Sequence, residues 1–161
     1  MVYLGNNELL IISEFAANTS QVGYLIHTSL DKTDKPVFFS KPICYRLTDL
    51  CTDSNNNIYG INVLWGGEYK NYIKNCSCKT GIASFDNLQS IDTSLHFAQI
   101  IQLVKQNDST FDWKPVVTIK GSGKNWEGIA LIDKHFYVIS DANKGMTGER
   151  ELSFGIIEKS N

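Results

Sequence analysis

Asp49, Glu127 and Asp141 are the side chains best placed to do chemistry. Asp49 lies in RLTDL and Glu127 in NWEGI, at matching positions, and each follows a base by three residues: Arg46 in one case, Lys124 in the other. Asp141 follows a strand-like VIS segment, with Lys144 just beyond, and Glu14 and Asn62 close similar segments earlier in the chain. Carboxylates and Asn amides gathered at one mouth would supply the hard oxygens that calcium takes. Glu127, Asp141, Asp49, Asn62 and Glu14 form that candidate metal set. A Ca2+ held there would polarise a phosphoryl or carbonyl oxygen and lower the pKa of a bound water. Glu127 and Asp141 would then be ligands, and Asp49 a ligand or general base. Arg46, Lys124 and Lys144 are candidate clamps for phosphate oxygens. Each assignment has a structural alternative. Asp49 and Glu127 could accept backbone amides from a neighbouring unit, the bases could simply pair with the acids, and Glu14 and Asn62 could serve the fold alone. Trp126 could stack on a ligand or pack inside.

Two other kinds of site are excluded. Gly121-Ser122-Gly123-Lys124-Asn125 lacks the spacing of a phosphate-binding loop. His27, His96 and His135 do not pair with a serine and an acid at recognisable spacing.

The positioning elements are repeated. NWEGIALIDKHFYVIS (125–140) lies over LTDLCTDSNNNIYGIN (47–62) without a gap, at an offset of 78 residues. MVYLGNNELLIIS fits the same frame: Leu9 meets Ile58 and Phe136, and Ser13 meets Asn62 and Ser140. KPVFF from Lys35 matches KPVVT from Lys114, and a further apolar run supplies a third strand in each unit: VGYLIHT, AQIIQLV and LSFGIIE. Short runs rich in Val, Ile, Tyr and Phe, bounded by Asn, Asp and Gly, read as strands. The strands are expected near 2–4, 8–14, 22–28, 36–40, 50–53, 57–63, 98–105, 115–119, 128–132, 136–140 and 152–158.

Four-stranded units in series are β-propeller blades. The expected fold is therefore all-β, with blades at about 1–46, 47–124 and 125–161, the last lacking its fourth strand. Closed propellers have four or more blades. The chain is thus expected to be the C-terminal part of a larger propeller. Open strand edges at Met1–Leu4 and Leu152–Glu158 would be covered by missing N-terminal blades or by self-association. In a blade the first strand starts, and the second ends, on one face, so the candidate residues should converge there. The loop between Leu64 and His96 opens on that face and carries Trp65, Glu68, Tyr69, Tyr72 and Phe85. Glu68 joins the candidate ligand-binding residues.

A net charge of -2 with scattered Lys and Arg provides no field for nucleic acid or acidic membrane. No apolar run approaches a membrane helix. The four cysteines, Cys44, Cys51, Cys76 and Cys78, fit no common zinc spacing and are expected to be free thiols.

RLTDLCTDSNNNIYGINVLWGGE and NWEGIALIDKHFYVISDANKG resemble segments of the phytase-like, or "esterase-like activity of phytase", propeller family. The resemblance covers roughly residues 41–70 and 110–157. It implies a propeller with more chain upstream, a metal-dependent hydrolase acting on a small phosphorylated or ester substrate, and a periplasmic or secreted location. A non-catalytic propeller that binds a ligand or protein, and an inactive fragment, are the alternatives.

Overall fold

The computed structural model describes residues 1–14, 23–27, 34–41, 43, 46–64, 97–119, 125–140 and 152–159. Among them the chain is all-β, with eleven strands and no helix. These are β1 (Val2–Gly5), β2 (Glu8–Ile12), β3 (Gly23–His27), β4 (Lys35–Phe39), β5 (Arg46–Thr52), β6 (Ile58–Leu64), β7 (Phe97–Lys105), β8 (Thr110–Ile119), β9 (Trp126–Ile132), β10 (His135–Ser140) and β11 (Phe154–Glu158). Every segment expected to be extended holds one of them. β5, β8 and β9 begin earlier than expected, because the residues before the apolar runs still find partners on neighbouring strands.

β1–β4 form an antiparallel meander, and β5–β8 form a second. A short parallel pairing joins their last strands, Phe38 with Thr110 and Phe39 with Phe111. The sheet therefore runs β1-β2-β3-β4-β8-β7-β6-β5. Its two end strands, β1 and β5, touch, so the eight strands make a nearly closed, barrel-like sheet. β9, β10 and β11 form a separate antiparallel sheet, with β10 in the middle.

Local chemistry accounts for the turns. Asn6 and Asn7 connect β1 to β2 with φ of 50° and 61°. Two successive positive φ values match the right-handed twist of the flanking strands, and Asn tolerates them better than most residues. Pro115 lies beside the register shift between β7 and β8, where a missing N–H disturbs the ladder least.

Side chains alternate along a strand, and β6 uses both directions. Ile58 points into one core, with Leu10, Leu25, Val37, Leu50 and Phe111. Tyr59, Ile61 and Val63 point into the other, with Ile100, Ile129, Phe136 and Val138. The second meander is thus covered on one face by the first meander and on the other by the three-stranded sheet. Phe136 is fully buried, and its ring meets Tyr59 edge-on at 5.2 Å between centroids. Truncating it leaves a cavity that the two packed sheets close poorly. Phe136→Ala should cost about 3–5 kcal/mol, read as a shift in the urea unfolding midpoint with little change in slope.

Candidate functional site

The start of β5 pairs with the end of β6, Leu47 opposite Asn62, and the start of β9 pairs with the end of β10, Trp126 opposite Ser140. The Leu47 amide also donates to the Glu14 carbonyl at 3.0 Å, which brings the residue after β2 to the same end. Glu14, Arg46, Asn62, Gln99, Asn125 and Glu127 therefore collect at one end of the strands.

Arg46 is the centre of this group. Its guanidinium donates to Glu14 Oε1 through Nε at 2.5 Å, and through Nη2 as well. The same Nη2 is 3.8 Å from Glu127 Oε1. Asn125 Nδ2 donates to that Glu127 oxygen. Two carboxylates drawn together need a nearby cation, and Arg46 is that cation. Asn62 is buried and fully used: Nδ2 donates to the Arg46 carbonyl at 3.2 Å, and Oδ1 accepts from Gln99 Nε2 at 2.9 Å.

Asp49 has a different role. Its Oδ2 accepts the Ile129 backbone N–H at 3.0 Å, across from the second meander to the three-stranded sheet. Beside it, Thr48 Oγ1 donates to the Trp126 carbonyl at 2.8 Å. Together these stitch β5 to β9, the structural role open to Asp49 from the start. Trp126 is buried in the core between these sheets, with its ring edge against Gly155. Its Nε1, and Oδ1 of the buried Asn125, have no hydrogen-bond partner among the described residues.

The structure thus brings Glu14, Arg46 and Glu127 together, while Asp49 and Asn62 are taken up by backbone and amide partners. Asp141, Lys124, Lys144 and Glu68 lie outside the described residues, as do Cys44, Cys76, Cys78 and the residues between Leu64 and Phe97. Among the described residues no three His, Cys, Asp or Glu side chains group as metal ligands. Arg46 holds both glutamates of the cluster, and Asp49 faces an amide.

At the opposite end of the strands lies a polar knot that sequence reasoning missed. Asp53, just after β5, accepts the Asn55 and Asn57 amides at 2.9 Å each and Asn57 Nδ2 at 2.9 Å. Lys159, just after β11, reaches Asp53 Oδ2 at 3.1 Å and stands over the Tyr59 ring at 4.7 Å. Burial alone would raise the Asp53 pKa. The hydrogen bonds from Asn57, Lys159 and Asn55 outweigh it and bring the carboxyl from 3.8 down to about 2. The DSNNN turn was the visible half of this knot; the other half is 106 residues away. Nearby, Cys51 is a free thiol pushed up to about 12, first by burial and then by the charges of Asp49 and Asp53. It is a poor nucleophile at neutral pH.

No family model matches the chain, and neither a search of curated proteins nor one of solved structures finds a match.

The stitch and the knot each make a measurable difference. Asp49→Ala strands the Ile129 amide and should cost about 1.5–3 kcal/mol. Asp49→Asn keeps an acceptor and should cost less than half as much, both in chemical denaturation. Asp53 has a folded pKa below its unfolded value, so its stabilisation is complete above the unfolded value. It drains away as pH falls from about 4 toward 2. Denaturation midpoints measured across that window should fall more steeply for wild type than for Asp53→Asn.

Proposed function

We propose that the chain is part of a β-propeller that binds a ligand or protein partner on the face where Glu14, Arg46 and Glu127 meet, without catalysing a reaction there. One observation carries this: the Arg46 guanidinium sits between the two carboxylates. Held by the same cation, they are hydrogen-bonded acceptors and not a poised acid and base. The residual charge and amides of the cluster suit a polar or cationic group. The propeller itself is supported by the sequence repeat and by successive antiparallel units that pack face to face. Three units are fewer than the four or more of a closed propeller.

The second reading is the calcium-supported phosphoester or ester hydrolase that the phytase-like resemblance implies. The observation favouring it is Asn125 Oδ1, buried beside Glu127 without a described partner. An amide oxygen next to a carboxylate is a pair of hard ligands. Arg46 must then swing away to admit the metal.

The two are separated by calcium. Wild type should show no calcium-dependent rise in melting temperature and no turnover of p-nitrophenyl phosphate or acetate. Glu127→Gln should cost under about 1 kcal/mol, as befits a partly exposed ion pair. Arg46→Gln, which leaves Glu14 and Glu127 uncompensated, should acquire calcium-dependent stabilisation. A calcium response in wild type that disappears in Glu127→Gln would overturn the binding role in favour of the hydrolase.

A further inference from the structure

The apolar alternation does not stop at the last sheet. In β6, Tyr59 and Ile61 face the three-stranded sheet and are buried by it. Their counterparts one repeat later, Tyr137 and Ile139, face away from that core, and Ile139 is 40% exposed where Ile61 is 0%. Strand pairing puts Phe154 beside Ile139 and Ile156 beside Tyr137. Phe154 and Ile156 are 61% and 58% exposed, and Ile132 extends the same face. The result is a sheet whose buried and open faces are both apolar, a pattern that marks an interaction surface.

The first meander is open on its opposite side. Leu9 is the counterpart of Ile58 and Phe136, the residues through which the second and third units receive the preceding unit. Leu9 itself points outward, with Tyr3 beside it in β1 and Ile26 in β3, and Ile11 next to Tyr24. Tyr3 and Tyr24 are 54% and 49% exposed. The chain therefore has one open face of the kind that gives and one of the kind that receives. The same pair of faces meets twice inside it, Leu10 with Ile58 and Tyr59 with Phe136, although the first two units are also joined at an edge through β4 and β8.

We propose that a second copy of this chain covers both faces head to tail, Tyr137 and Ile139 of each copy packing toward Leu9 and Ile11 of the other. The proposal rests on the propeller reading above. Two copies of three units make a ring of six, within the range of closed propellers, and a two-fold ring leaves neither face exposed. A second copy is chosen because the two open faces repeat, position for position, the faces of the junctions already formed.

Sedimentation and light scattering of the purified chain test this. The expected mass is twice 18.1 kDa. Phe154→Lys on the giving face and Tyr24→Lys on the receiving face should each halve it, with unchanged strand content by circular dichroism. Both substitutions are on exposed positions, so folding is preserved. A wild-type monomer overturns the proposal and assigns the faces to a different occupant. A dimer that survives Tyr24→Lys is face to face and overturns it, as does an open-ended polymer. The mouth reading stands or falls separately, on the calcium response of the same preparations. Small-angle scattering of the dimer tests the ring, because two copies joined at one face and not closed into a ring lack its central channel. A dimer without that channel would sink the propeller reading and the six-unit ring together.

Discussion

β6 cannot exist with only one neighbour. Ile58 points one way, and Tyr59, Ile61 and Val63 point the other, all buried. At roughly 25 cal/mol per Å² of apolar surface, leaving either face wet would remove a large part of a small domain's stability. The second meander must therefore be sandwiched, and the order of the whole molecule follows: first meander, second meander, three-stranded sheet. The hydrogen bonds from Ile129 to Asp49 and from Thr48 to the Trp126 carbonyl fix how the third layer is set on the second. Lys159 fastens its far end through Asp53. Apolar area holds the layers together, and these few polar contacts set their alignment.

The polar end of the sandwich is a consequence of the same alignment. Strands that begin and end together deliver their flanking residues to one place, and several of those residues are acidic. Arg46 resolves the resulting repulsion because Leu47 pairs with the Glu14 backbone, which seats the guanidinium against the Glu14 carboxylate. An arginine suits this position because its planar fork can engage two oxygens at once and it stays charged. The cluster is therefore built as an ion-pair group, with Asn125 and Asn62 fastening its edges. Its chemistry depends on whether Arg46 stays where it is.

Much of this was legible in the residues themselves. The gapless repeat located the first two strands of each unit, and the KPVFF and KPVVT match with the further apolar runs located the rest. It also put Arg46, Asp49 and Glu127 near one end, since strand starts and ends are local properties. What it could not resolve was the choice between roles. A carboxylate at a strand start can bind a cation or cap a neighbour's amide, and Asp49 does the second only because Ile129 is presented to it across a layer boundary.

Period-two alternation and turn-forming asparagines are encoded residue by residue, so strand positions, hairpins and the all-β class were set by the sequence alone. The parallel link from β4 to β8, the Asp53–Lys159 tie and the seat of Arg46 between Glu14 and Glu127 join residues far apart in the chain. Such contacts depend on how layers are displaced against one another. That displacement is settled by packing of whole faces, and no single segment carries a signal for it.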